Sequence, residues 1–426
     1  MKLKSYWLDT APPFSSGAAG APQGDADVAI VGAGFTGLSA ALALAKKGAK
    51  VVVLEAGLVA NAASGRNGGM CNNGFAQDYH GLSQKLGFER ANMLYRAFDA
   101  GVDKVESLIA EESIDCNFRR VGKLKLAAKP EHYDKLVRSQ ALLAEQVDPD
   151  TRIVPRAEMR AEIGSDRYFG GMIFGKSAGM HMGKYGQGLA EAAARRGALI
   201  HENNPVIGLR RLAGQSHEVR TTQGSIRARQ VLLATGTSSV GPLGWFRRRI
   251  VPVGAFIIAT EPLPIDVLDR LTPRRRNTTD TRNFVNYFRV TPDDRLLFGG
   301  RARFTSSTDP ESDRKSGEIL RKSLGEVFPE LANARIDYCW GGMVDMTRDR
   351  LPRAGEHEGL FYSMGYSGHG THMATYMGAI MAEVLDGKAD LNPWRDFDWP
   401  AIPGYFGKPW FLPIVGAWYR YQDLVR

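Results

Sequence analysis

Apolar positions in this chain switch between the strand period and the helix period, most sharply near the N-terminus. Val28, Ile30 and Val31 form a short apolar run ending in Gly32-Ala33-Gly34-Phe35-Thr36-Gly37. Leu38, Leu42 and Ala45 then recur at helical spacing, and Val51 to Leu54 form a second run closed by Glu55, 18 residues after Gly37. The pattern predicts strand, glycine turn, helix, strand, acidic residue. Gly32 permits the tight turn, Gly34 lets backbone approach a pyrophosphate, and Gly37 lets the helix pack closely on the strand. The helix N-terminus faces the phosphates, and a carboxylate at the second strand's end can accept hydrogen bonds from a ribose 2′-hydroxyl. Such a unit is expected to bind an adenine dinucleotide. The motif alone does not choose between FAD and NAD.

Helical periodicity returns at residues 80–112, 132–147 and 184–196, with a strand-like alternation from Val121 to Ala127 between the first two. Ala198 to His201, Asn203 to Arg211, a hairpin through Gln223-Gly224 and the run 231–236 (VLLATG) continue the nucleotide-binding pattern, which reaches Ala234 and Gly236. Residues 241–335 hold fewer helical and more antiparallel segments, and a strand, a glycine loop and a long helix follow. The interruption predicts an α/β fold with a discontinuous Rossmann-like nucleotide-binding domain (24–84, 155–240 and 336–390) and an inserted β-rich α+β substrate domain (85–154 and 241–335). Residues 1–23 read as an arm docking through Tyr6 and Trp7, and residues 391–426 as a tail. Pro409, Pro413 and Gly416 are expected to break any amphipathic helix there, so the tail's aromatics should pack on the body and not on a membrane.

At 426 residues the chain can bury two cores. No stretch approaches the length of a membrane span, and the N-terminus lacks the apolar run of a secretory signal. Cys71, Cys116 and Cys339 are too few and too scattered for a disulfide framework or a zinc site, which fits reduced thiols in a cytoplasmic protein and predicts no metal. The net charge of +9 includes the basic knots 247–249 and 274–276, but neither extends into a stripe with interleaved aromatics. The excess reads as solvated surface, and no nucleic-acid partner is expected.

Three further segments carry candidate chemistry. Ser64-Gly65-Arg66-Asn67-Gly68-Gly69-Met70, shortly after Glu55 and Ala56, offers backbone N–H groups and a guanidinium to phosphates and a ring edge. Gly365-Tyr366-Ser367-Gly368-His369-Gly370 opens a helix at Thr371, so its donors and dipole face something anionic. His372, just inside that helix, is the better pocket-lining histidine. Trp340-Gly341-Gly342 suits close approach to a planar ring.

Taken together these motifs, in order and at their spacing, resemble the D-amino-acid-oxidase-like flavoproteins (glycine oxidase, sarcosine oxidase and related enzymes). Within that superfamily the chain is most similar to the γ-glutamylputrescine oxidases, which also show a start like Ser5-Tyr6-Trp7 and matches at Ile114 to Cys116, Ser165 to Tyr168 and Arg295 to Gly300. The resemblance covers nearly the whole chain. It implies FAD, with the ADP half on Gly32, Gly34, Gly37 and Glu55, the backbone of Val206 at adenine, and the ring between residues 63–69 and the 367–370 loop. It implies amine oxidation: hydride passes from the carbon beside nitrogen to the flavin, and the imine hydrolyses, with γ-glutamylputrescine or a similar carboxylated amine as substrate, oxygen or another acceptor taking the electrons, and a place in putrescine degradation. His372, Tyr287, Trp340 and Arg301 are the candidate catalytic-site residues, with Asn286 and Arg303 beside them. Gly342 stands where sarcosine oxidase carries its flavin-tethering cysteine, so non-covalent FAD is expected. Leu297 stands where that enzyme uses a lysine with oxygen, which weakens oxygen as acceptor. Other amino-acid oxidases or dehydrogenases are the alternative. A tRNA-modifying flavoprotein is remote, because its partner methyltransferase module does not fit in this length.

Overall fold

The computed structural model describes residues 1–237, 241–300, 304–306 and 308–425. Arg301 and Arg303 lie outside the described residues. Two eight-stranded sheets organise the chain. The first contains the predicted unit: Asp25–Val31 lies parallel to Val51–Leu54 on one side and to Ser225–Leu233 on the other. Leu199–His201 and Leu360–Met364 extend it in parallel, and Arg353–His357 and the Val206–Arg211/His217–Thr221 pair add antiparallel strands. All four residues of Val51–Leu54 are buried, as a parallel strand covered on both faces requires. The segment 225–236, read as a hairpin arm and a separate run, is one strand over Ser225–Leu233.

Helix Phe35–Lys46 covers this sheet and packs on helix Gly370–Leu385. The approach is close: a Cβ on Gly378 would stand 2.3 Å from the carbonyl oxygen of Thr36, and Ser39 Oγ donates to the Thr375 carbonyl at 2.6 Å. Helical periodicity over 80–112 resolves into two helices, Tyr79–Leu86 and Phe88–Glu111, broken at Gly87, whose φ of 81° no helix interior adopts.

The second sheet runs in the order 336–346, 251–262, 295–300, 286–290, 277–280, 123–126, 170–174, 152–155. Strands Gly170–Phe174 and Ile336–Met346, assigned by sequence to the nucleotide-binding unit, belong here. The first closes an antiparallel pairing with Lys123–Leu126, and the second runs beside Val251–Pro262 along ten residue pairs. One face of this sheet buries Leu124, Phe288, Phe298 and Ile258 in its own core; the other turns Ile257 and Trp340 toward the first sheet's core.

The arm docks as expected. Its short helix Tyr6–Asp9 buries Trp7 completely. The tail differs from expectation: Leu412–Val425 is a helix. Pro413 falls in its first turn, where a missing N–H costs nothing, and Gly416 leaves room for Phe304, 3.0 Å from where its Cβ would be. One face packs through Leu412 and Tyr419, while Ile414, Trp418 and Tyr421 stay exposed along the other, as does Trp410 just before the helix. Among the described residues no helix is long and apolar enough to cross a membrane, and no cluster of side chains could hold a metal ion.

Candidate active site

A cavity of about 830 Å³ opens between the two sheets. At one end lies the glycine turn. Gly32 has φ 105°, and a Cβ there would lie 2.7 Å from the Ala234 carbonyl oxygen. A Cβ on Gly37 would sit 1.9 Å from the Gly32 oxygen, so only glycine fits either place. Gly34 faces Ser64, whose Oγ accepts from the Phe35 N–H at 3.1 Å. The Glu55 carboxylate accepts from the N–H groups of Ala33 and Gly57, both at 2.8 Å, and is held where the second strand meets the cavity. Phe35, Thr36, Ala56, Val206, Ala234 and Gly236 line the same end.

Ser64, Arg66, Asn67, Gly68 and Met70 form the middle of the wall. Arg66 Nε donates to the Asn61 carbonyl at 2.8 Å and its Nη1 to the Gly341 carbonyl at 3.1 Å, so the guanidinium ties its own segment to the strand behind it. Trp7 Nε1 donates to the Asn67 carbonyl at 2.7 Å and Trp340 Nε1 to the Arg66 carbonyl at 2.9 Å. Trp340 is wholly buried behind the wall and does not line the cavity, because its indole is spent on that contact. Ala33, Gly37, Gly65, Gly69, Gly341 and Gly365 also stand behind the wall. Their lack of bulk shapes it: a Cβ on Gly69, for example, would collide with Trp7, Arg289 and the Met180 carbonyl.

Opposite lies the loop before helix Gly370–Leu385. Ser367, Gly368, His369, Gly370, Thr371 and His372 line the cavity. Asp345 braces the loop by accepting from the Gly365 N–H at 2.7 Å, and burial pushes its carboxyl up to about 6. Tyr366 shares its hydroxyl with Thr36 and Ser363, each at 2.8 Å, which joins the loop to the glycine-turn helix. His372 is buried against Phe98 and Gly101, and neither ring nitrogen has a hydrogen-bond partner. Burial holds it well below its ordinary pKa, and His369 is lowered to about 3 by burial and then by Lys123 and Lys125. At both positions burial disfavours the imidazolium form.

The second sheet supplies the remaining wall. Tyr287 lines it, its ring 3.0 Å from where a Cβ on Gly68 would be. Asn286 and Leu297 are buried and do not line it. Lys123 and Lys125 do, and the sequence reading passed over both. Lys123 Nζ donates to the Asn73 carbonyl at 2.6 Å, lies 3.7 Å over the Phe174 ring, and is lowered by burial to about 7. Lysines alternating with leucines read as a solvated edge; only the sheet's second covered face makes them internal.

A doubly wound sheet with a glycine turn at its first βα crossing, facing a second sheet across a cleft, defines a dinucleotide-binding oxidoreductase. The chain belongs to the DAO family of FAD-dependent oxidoreductases, whose description "FAD dependent oxidoreductase" matches residues 27–384. It is 34% identical to the probable oxidoreductase OrdL of Haemophilus influenzae, covering 94% of this chain and 93% of that protein. It is 31% identical to the gamma-glutamylputrescine oxidoreductase of Escherichia coli, covering 93% and 92%. Glycine oxidase from Geobacillus kaustophilus shares the fold, with a TM-score of 0.67 at 22% identity over 90% of this chain and 98% of that one. The protein is an FAD-dependent oxidoreductase of the type that acts on amines or amino acids.

The residues present fit FAD. Backbone with no side chains faces the cavity where a pyrophosphate would lie, a carboxylate ends the second strand, and a helix N-terminus stands at the far end. When bound, the flavin supplies a two-electron acceptor.

Proposed function

We propose that the protein oxidises γ-glutamylputrescine or a closely similar carboxylated amine, passing electrons to oxygen, in cytoplasmic putrescine breakdown. The observation that carries this reading is the end-to-end likeness to the gamma-glutamylputrescine oxidoreductase, 31% identical over 402 residues. In this reading Gly32, Gly34 and Glu55 hold the ADP half, Val206 meets adenine, and Arg66 to Met70 with Gly368 to Thr371 enclose the ring. Tyr287 shapes the substrate side, His372 is a buried part of the wall, and Trp340 positions Arg66 from behind. The chemistry of such an amine oxidation needs alignment and a neutral amine, without a protein base in line.

The test is anaerobic mixing of the yellow holoenzyme with γ-glutamylputrescine, putrescine, glycine, sarcosine, D-alanine and L-proline while flavin absorbance is followed, then admission of air. Bleaching by γ-glutamylputrescine at far lower concentration than by the others supports the reading. Preferential bleaching by an α-amino acid replaces it, and slow recolouring in air removes oxygen as acceptor.

A further inference from the structure

Directly paired residues on neighbouring strands project to the same side of a sheet, so one row of the second sheet can be followed across the cavity wall. The row runs Trp340, Ile257, Gly299, Tyr287, Thr279, Lys125, Met172. Its one end is pinned to Arg66 through Trp340, and Tyr287 packs on Gly68. Lys125 lies two strands beyond Tyr287, which is about 10 Å along the row. Gly299 has no side chain, and the Tyr287 ring fills its place. The row therefore presents an aromatic near the Arg66–Gly68 segment and an ammonium further out.

The Lys125 side chain has no hydrogen bond or ion pair among the described residues, although it lines the cavity half-buried and burial lowers its pKa. Lys123 lies on the same strand face, and Asp78, on the exposed cap of helix Tyr79–Leu86, is the opposite charge that acts on Lys125 from the rim. Holding an ammonium partly out of water with no direct ion pair is costly, and an anionic ligand offsets that cost. Lys123 differs, because its Nζ is already committed to the Asn73 carbonyl.

We infer that Lys125 receives the carboxylate of the substrate, and that this carboxylate sits about 10 Å from the reacting carbon. The inference rests on the proposed amine oxidation and deepens it by setting a length. The site takes an ω-amine whose anionic group lies at the opposite end of a long chain. An α-amino acid, whose carboxylate is on the reacting carbon itself, cannot reach Lys125 while its amine lies beside Gly68. Asp78 at the rim suits the α-ammonium beside such a carboxylate.

The experiment compares Lys125→Met, Lys125→Arg and Arg350→Met (Arg350 being another cavity-lining cation) with the parent holoenzyme. Steady-state oxidation of γ-glutamylputrescine is set against that of N-acetylputrescine, which lacks the carboxylate. Lys125→Met should raise KM for γ-glutamylputrescine about 30-fold or more with little change in kcat, leave KM for N-acetylputrescine unaltered, and recover in part in Lys125→Arg. Equal effects on both amines, no effect, or selective loss in Arg350→Met instead would overturn the assignment. Binding of γ-glutamylbutylamide, which carries the carboxylate and lacks the terminal amine, is read from the flavin spectrum. It should weaken by the same factor in Lys125→Met, and it tests the lysine even if no amine reduces the flavin.

Discussion

Trp7 and Trp340 stand 333 positions apart in the chain and donate their indole N–H groups to adjacent carbonyls, those of Asn67 and Arg66. One comes from the N-terminal arm and the other from the longest contact between strands of the second sheet. Between them they fix the back of the segment whose front lines the cavity.

Removing either donor while keeping an aromatic ring should therefore loosen the flavin wall without unfolding the protein. Trp7→Phe and Trp340→Phe each lose one hydrogen bond of about 1 kcal/mol, and FAD should bind roughly fivefold more weakly in each. Titration of apoprotein with FAD measures this. A variant lacking residues 1–10 should lose more, because Tyr6 and the Trp7 ring go as well.

The two glycines that open the nucleotide helix should fail in different ways. Gly37→Ala puts a methyl 1.9 Å from a backbone oxygen and is expected to yield no soluble yellow protein. Gly34→Ala meets only the Ser64 hydroxyl, at 3.0 Å, which can rotate away. That variant should fold with nearly the parent melting temperature and bind FAD roughly tenfold or more weakly, since its methyl stands where the cofactor's backbone would approach. The ratio of flavin to protein absorbance separates the two outcomes.

Asp345 gives a pH dependence of definite sign. Its carboxyl is raised to about 6 in the folded chain from 3.8, chiefly by burial. A raised acid favours the folded state while protonated, so ionisation costs nothing below the unfolded value. The cost grows between that value and about 6 and is complete above. Asp345→Asn keeps an acceptor for the Gly365 N–H and removes the charge. Apoprotein carrying it should be more stable by about 2 kcal/mol at pH 8 and no more stable at pH 3.5. Urea unfolding at the two pH values checks the sign.

No cysteine lines the cavity among the described residues: Cys71, Cys116 and Cys339 are all buried elsewhere, and Gly342 presents only backbone. Acid precipitation should leave all yellow colour in the supernatant. Colour retained in the pellet would show a covalent tether and overturn the expectation of a dissociable flavin.

The nucleotide-binding end was legible because its chemistry is backbone chemistry, and glycines at fixed spacing announce where backbone must approach. The Gly32–Gly37 turn, Glu55 and the loop before Thr371 all follow from that. The substrate side was not, because it is made by pairing across sequence. Lys123 and Lys125 become internal only when strands 170–174 and 277–280 close on either side of them. The hold of Asp345 on Gly365 likewise depends on two strands that meet only in the fold. The tail was misjudged for a local reason: Pro413 was taken as a breaker, although one residue into a helix it interrupts nothing.

The second sheet draws its strands from two stretches of chain, 123–174 and 251–346, with first-sheet strands before, between and after them, and Ile336–Met346 leads directly back into the first sheet. Neither half can be cut out and exchanged as a module without severing the other. Exchanging single residues along rows such as Tyr287, Thr279 and Lys125 leaves both sheets intact, so the cavity wall can be altered in place.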